Sequence, residues 1–253
     1  MADRVIVATG GSPKREGLQW LADLGHSVVD PVPSLFTFNL PDEPIRELMG
    51  VVADPVRVRI TGTDLDSKGP LLITHWGFSG PAVLRLSAWG ARVLNSLNYR
   101  FTVQVNWAGG NGEEFVRAAL QELRSAQPRK LLRNATAFGL PNRLWSFLMH
   151  KAGLESERRC GELQKKEINR LVDLITNDRY VASGKTTFKE EFVTAGGVDL
   201  NDVDPATMES RKVPGLFFAG EVLDIDGITG GFNFQAAWTT GYMAGKSAAS
   251  SLG

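Results

Sequence analysis

The stretch GLFFAGEVLDIDGITGGFNFQAAWTTGYMAGKSAA, residues 215–249, decides the fold. It begins with a continuous apolar run, Leu216 to Ala219, closed by Gly220 and Glu221. Such runs mark strands covered on both faces, as in a parallel sheet flanked by helices. Asp226-Gly227 then reads as a turn and Gly230-Gly231, followed by Phe232 and Asn233, as the start of a helix. Along that helix Ala237, Gly241, Ala244, Gly245 and Ala248 fall on or near one face. This face predicts unusually close helix packing, which has to offset about 1 kcal/mol for each helical glycine. The free N–H groups at a helix start attract negative charge, and a carboxylate directly after a strand accepts hydrogen bonds from sugar-like hydroxyls. The layout suits an extended anionic ligand. By spacing alone, a glycine-rich strand-to-helix turn that binds nothing is an equal reading.

A run of the same style stands at the other end of the chain. In DRVIVATGG (3–11) the apolar segment Val5 to Ala8 is followed by Thr9, Gly10 and Gly11. Ligands of open parallel sheets settle beyond the carboxyl ends of the strands, so these three residues join Gly220 and Glu221 as candidate contacts. The two runs are expected side by side in one layer.

The middle of the chain is patterned differently. In VRVRI (56–60) and YRFTVQV (99–105), Val56, Val58, Ile60 and Tyr99, Phe101, Val103, Val105 alternate with polar residues, the mark of a half-wet antiparallel sheet or small barrel. Three amphipathic helices follow, at 113–126, from Pro141 to Gly153, and at 162–177. The simplest organisation is an α/β domain made from residues 1–32 and 186–253, with a β-barrel and three-helix domain, 33–185, inserted.

Composition sets limits. The 253 residues are 43% hydrophobic, enough for a substantial core, and carry 28 basic and 28 acidic side chains. Zero formal charge gives no general attraction for nucleic acid or an anionic membrane, although it leaves room for a local basic patch. A single cysteine, Cys160, fits a reducing compartment, and no apolar run reaches the roughly 18 residues of a membrane span. A cytoplasmic protein is expected.

Other chemical candidates are fewer. His75, in THWGFSG, is the candidate acid/base, against a packing role. Ser79-Gly80-Pro81 reads as a helix start rather than a nucleophile, because no His/Asp partner completes a hydrolase pattern. Asp224 and Asp226 are too few for a cation site, and His26, His150 and Cys160 stand apart from other ligand types, so no metal is expected. The tryptophans, Trp238 among them, read as core or interdomain filling, and the run QKKE (164–167) as the wet face of its helix.

Residues 215–245 closely resemble the carboxyl-terminal flavin-binding signature of the BaiN-like (YhiN-like) flavoproteins, a branch of the two-dinucleotide-binding-domain oxidoreductases. ADRVIVATGGSP near the start, GPLLITHWGFSGPAVLRLS (69–87) and VTAGGV (193–198) agree in the family's order. The resemblance implies a partial Rossmann-like FAD-binding domain formed by both chain ends and interrupted by the inserted barrel and helices. It implies Glu221 near the ribityl or pyrophosphate region of FAD, the Gly230 to Asn233 helix start beside the isoalloxazine, and Thr9 and Gly10 on the adenosine side. It departs in one respect. Family members begin with a G-x-G-x-x-G or G-x-G-x-A-G turn that cradles the pyrophosphate, and these residues contain neither.

The resemblance therefore implies the carboxyl-terminal two-thirds of an FAD-dependent oxidoreductase acting on a small organic substrate with NAD(P)H as reductant. No nucleic acid or membrane partner is expected. The pyrophosphate turn would belong to a longer form of the chain or to a partner chain. The alternative is a non-catalytic binding or assembly module that does not hold FAD by itself, its surface covered in a homo-oligomer or by a partner.

Overall fold

Leu216, Phe217 and Phe218 pair in parallel with Val5, Ile6 and Val7, so the two chain ends do share a layer. The computed structural model describes residues 2–135, 137–155, 157–186 and 193–250. In chain order the strands are β1 (Val5–Val7), β2 (Val28–Ser34), β3 (Thr37–Asn39), β4 (Val52–Ile60), β5 (Asp66–Ile73), β6 (Gly77–Ser79), β7 (Arg100–Asn106), β8 (Asp178–Ser183), β9 (Lys185–Thr186), β10 (Val193–Val198) and β11 (Leu216–Phe218). The α-helices are α1 (Gln19–Asp23), α2 (Pro81–Trp89), α3 (Ala91–Ser96), α4 (Glu113–Ala126), α5 (Asn142–Lys151), α6 (Lys165–Asn177) and α7 (Phe232–Ser250).

The chain divides into two compact units. The first holds the described residues of Met1–Phe36, Ser87–Ser96 and Thr187–Gly253; the second holds Thr37–Leu86 and Leu97–Thr186. Residues 187–192, at the return between the expected domains, lie outside the described residues. Residues 87–96 fall in the first unit because α3 lies against β2, with Ala91 packed on Val32 and Ala195.

In the first unit, β11 is buried along its length, as a continuous apolar run requires. In β1 only Val7 is buried, while Val5 and Ile6 are exposed, so the expected two-sided cover is absent here. The physical reason is that β11 is the only strand paired with β1 among the described residues. Strands β2 and β10 form a separate antiparallel pair, with a bulge between Ala195 and Gly197. That bulge brings β10 onto the backbone of residues 222–223. Val198 bridges to Leu223, and a Cβ on Gly197 would lie 2.4 Å from the Val222 carbonyl oxygen. Only glycine fits so near a neighbouring backbone. Leu18, Leu21, Phe217, Phe218, Val222 and Leu223 form the core, closed by Ala244 and Ala248 of α7.

Helix α7 runs where the sequence places it, but the close-packed face is narrower than expected. Thr240, Ala244 and Ala248 are buried, whereas a Cβ on Gly241 or Gly245 would meet no atom within 4 Å. These two glycines belong to an open side of the helix. Trp238 and Tyr242, 69% and 70% exposed, share that side with Phe234, so Trp238 is not core filling.

The second unit is a seven-stranded antiparallel sheet, in the order β8-β7-β4-β5-β6-β3-β9, that curls into a half-barrel. Val56, Val58, Ile60, Phe101, Val103 and Val105 are buried on its inner face, the alternation read in the sequence. Tyr99 departs from it: at φ +56 it precedes β7 as a turn residue. Helices α4, α5 and α6 form where periodicity places them, α6 being capped by Gln164 and Glu167. Glu167 is therefore not simply on a wet face. Its carboxylate accepts from the Gln164 N–H and pairs with Arg158 at 3.0 Å. Burial alone would push its pKa up, but these partners outweigh burial and hold it below the ordinary value.

A buried carboxylate, not anticipated from sequence, ties the helices to the half-barrel. Asp178 accepts from Trp107 Nε1 at 2.9 Å, from Lys151 Nζ at 2.6 Å and from the Tyr180 hydroxyl. Burial raises the Asp178 pKa even against these partners.

Candidate functional site

The glycine-rich ends of β1 and β11 lie side by side, and a side chain the sequence did not single out fastens the end of β11 to the middle of α7. Ala219 N–H donates to the Val7 carbonyl at 3.0 Å, which aligns the two strand ends. Gly220, at φ +75, turns the chain there, and its N–H donates to Thr240 Oγ1 of α7 at 2.9 Å. Thr240 Oγ1 in turn donates to the Ala236 carbonyl at 2.7 Å. This buried hydroxyl fastens the helix to the strand end.

Glu221 follows at once. A Cβ on Gly11 would lie 3.5 Å from Glu221 Oε2 and 3.1 Å from Thr194 Oγ1, so Gly11, Thr194 and Glu221 meet around one small space. Glu221 is half-buried, and burial raises its pKa. Among the described residues none donates a hydrogen bond to its carboxylate. A half-buried acceptor without a donor, beside a glycine whose missing side chain leaves the space open, fits a ligand bearing hydroxyls.

The turn before α7 is held by its own polar groups. Asp226 accepts from Ser34 Oγ at 2.8 Å, and Asp224 pairs with Arg92 at 3.2 Å. Asn233 clips the turn to the helix: its Oδ1 accepts from Gly227 N–H at 2.7 Å and its Nδ2 donates to the Gly227 carbonyl at 3.0 Å. Asp226, Gly227 and Asn233 thus shape the helix start through contacts with the protein. Gly230 and Gly231, both at positive φ, lead into the first turn of α7, whose leading amides have no partner within the helix. Phe232, Thr9 and Gly10 are exposed at the rim.

His75 belongs to the second unit. It is exposed in the turn between β5 and β6, its ring centroid 3.6 Å from that of Trp76, and the turn is closed by Thr74 N–H donating to the Gly77 carbonyl at 2.8 Å. His26 is a packing histidine, buried and bonded to Ser210 Oγ at 2.7 Å. Among the described residues no three His, Cys, Asp or Glu side chains are placed to hold a metal ion, and no helix is long and apolar enough to cross a membrane.

Residues 32–193 match the family model described as the HI0933-like protein barrel and H2TH domain. The chain belongs to the HI0933-like family. This is the BaiN/YhiN-like flavoprotein family that the four sequence motifs indicate, and its members include oxidoreductases. Two relatives of this HI0933-like chain bear the name ribosomal RNA dihydrouridine synthase. The one from Escherichia coli is 33% identical, over 96% of this chain and 60% of its own length; the one from Haemophilus influenzae is 30% identical, over 96% and 59%. A third, the 3-dehydro-bile acid delta(4,6)-reductase of Clostridium scindens, is 29% identical over 98% of this chain and 62% of its own length. The HI0933-like chain therefore spans about three-fifths of the length of the curated relatives it matches.

Proposed function

We propose that the chain is part of an FAD-dependent reductase that adds two hydrogens across a carbon–carbon double bond conjugated to a carbonyl. The names of the relatives share this chemistry: uridine becomes dihydrouridine by saturation of one ring double bond next to a carbonyl, and a delta(4,6) 3-ketone carries its double bonds in conjugation with the ketone. A bound flavin supplies the electron pair, and NAD(P)H is the proposed source of reducing power.

The observation that carries the reading is the donor-free Glu221 carboxylate beside Gly11 and Thr194. Glu221 would accept hydrogen bonds from FAD hydroxyls. Gly10 and Gly11 would let the backbone come close to it, and the leading amides of α7 would favour negative charge on the ring. His75, in the second unit, is the proposed acid/base residue. The test is thermal melting with FAD added. The reading expects a rise in Tm that shrinks in Glu221→Gln; no rise in the wild type, alone or with the amino-terminal segment of a relative supplied in trans, rejects it.

A second reading, an assembly module, is favoured by one observation. Among the described residues the unpaired edge of β1 and the exposed Phe234, Trp238 and Tyr242 side of α7 form apolar surface in the first unit, and two-stranded parallel sheets are not expected to stand uncovered. This reading places a partner chain or a second copy there. A monodisperse monomer that binds FAD tightly contradicts it.

A further inference from the structure

In the first unit the Thr194 hydroxyl is buried without a hydrogen-bond partner among the described residues. Thr194 lies on β10, is 9% exposed, and leaves its Oγ1 unbonded. Other polar side chains buried in the same unit are satisfied within the protein. His26 bonds Ser210 at 2.7 Å, Ser34 donates to Asp226 at 2.8 Å, Asp202 accepts from the Ser27 N–H at 2.6 Å, and Thr240 donates to the Ala236 carbonyl at 2.7 Å. Protein interiors pair their polar groups, so a buried hydroxyl left over calls for a partner from outside the chain.

The hydroxyl faces the place where Gly11 has no side chain. A Cβ there would stand 3.1 Å from Thr194 Oγ1 and 3.5 Å from Glu221 Oε2, so both oxygens flank one point. The course of β10 sets this up. Its Gly197 lies against the Val222 and Leu223 backbone and Val198 bridges to Leu223 in parallel, so β10 runs beside the segment that carries Glu221. Pairing with β2, Thr194 opposite Pro33, holds the strand from its other side. The two oxygens differ in what they can bond. An ionised carboxylate only accepts, whereas a threonine hydroxyl both donates and accepts. Together they match two neighbouring hydroxyls on one carbon chain, the first donating to Glu221 and the second sharing a hydrogen bond with Thr194.

From this arrangement we infer that Thr194 is a ligand-contacting, specificity-determining residue that acts with Glu221 to hold a vicinal diol of a sugar or sugar alcohol beside Gly11. The inference rests on the flavin reading and adds to it a second contact and the ligand group that both contacts recognise. FAD carries such a diol in two places, the ribityl chain and the adenosine ribose. A phosphate would be repelled by the Glu221 carboxylate, and an apolar group would leave both oxygens unpaired. Sites built to bond a hydroxyl reject analogues that lack it far more strongly than apolar sites reject a missing methylene.

The test is isothermal titration calorimetry of the full chain with FAD, FMN and ADP, in the wild type, Thr194→Val and Thr194→Ser. FMN brings the ribityl chain without the ribose, and ADP the ribose without the ribityl chain. Thr194→Val keeps the shape and removes the hydroxyl. It should weaken FAD binding about 3- to 10-fold, the value of one lost hydrogen bond, while Thr194→Ser stays within about twofold of the wild type. The same loss with FMN but not ADP assigns the ribityl chain, and the reverse assigns the ribose; either upholds the diol contact. Because the hydroxyl has no protein partner to lose, ligand-free Thr194→Val should melt no lower than the wild type. A lower Tm with unchanged Kd values would make Thr194 a structural residue and overturn the inference. Should Thr194→Val not fold, Thr194→Ala, which removes the same hydroxyl, decides the matter. FAD bound equally by wild type and Thr194→Val overturns the inference and leaves the flavin reading standing, the hydroxyl then being met by water. ADP bound through Thr194, with FAD and FMN unbound, upholds the diol contact and rejects the flavin reading. A wild type that binds none of the three rejects both.

Discussion

Gly197→Ala tests how the site is built. The added methyl would lie 2.4 Å from the Val222 carbonyl oxygen and 2.6 Å from the Leu223 carbonyl carbon. Both are backbone atoms that cannot rotate aside, so β10 and the 222–223 backbone must separate. Residue 197 also sits at φ +150, which L side chains seldom adopt. Overpacking costs about 1–3 kcal/mol and backbone strain about 1–3 kcal/mol more, giving a loss of about 2–6 kcal/mol. That is a large part of the 5–15 kcal/mol typical of a domain. Urea unfolding followed by far-ultraviolet circular dichroism should show a lower midpoint for the first unit at an unchanged m-value. Because Glu221 adjoins the displaced backbone, any FAD-induced rise in Tm should shrink in parallel. A Gly197→Ala protein within about 1 kcal/mol of the wild type would refute the close approach of β10 to residues 222–223.

Three further outcomes are expected. Gly241→Ala, with no atom within 4 Å of the new methyl, should stabilise the isolated chain by about 0.5–1 kcal/mol in the same unfolding assay; destabilisation would mean that this side of α7 is already covered. Asp178→Ala leaves the Trp107 N–H and the Tyr180 hydroxyl buried without their acceptor, and should cost about 3–5 kcal/mol, with Asp178→Asn costing less because an acceptor remains. On acidification, Glu167, whose folded pKa is depressed, contributes stability above its unfolded pKa and loses it as pH falls through the folded value. Asp178 and Glu221, whose folded pKa values are raised, act in the opposite direction. Urea titrations between about pH 5 and 3 should therefore show a shallower acid loss in Glu167→Gln than in the wild type.

What the sequence revealed follows from the range of the forces involved. Hydrophobic periodicity is local, so the buried run at Leu216–Phe218, the alternating strands β4 and β7 and the helices α4, α5 and α6 could all be read directly. The exposure of Val5 and Ile6 could not, because it depends on which strands lie beside β1. The outward side of α7 was obscured because small residues occupy both its packed and its open sides; only contacts separate Ala244 from Gly241. In the candidate site Glu221 and the glycines stood out, but Thr194 and Thr240 did not, since their roles depend on partners far away in sequence or across a turn of helix. Asp178 carried no motif. Its importance lies in three donors contributed by residues 107, 151 and 180.

Hydrogen–deuterium exchange of the chain with and without saturating FAD tests the central claim most directly. The account predicts slowed exchange at residues 9–11, 220–221 and 230–233, with β4 and β7 unchanged. Exchange unaltered at all three segments under conditions where FAD is demonstrably bound would place the cofactor elsewhere and contradict the account.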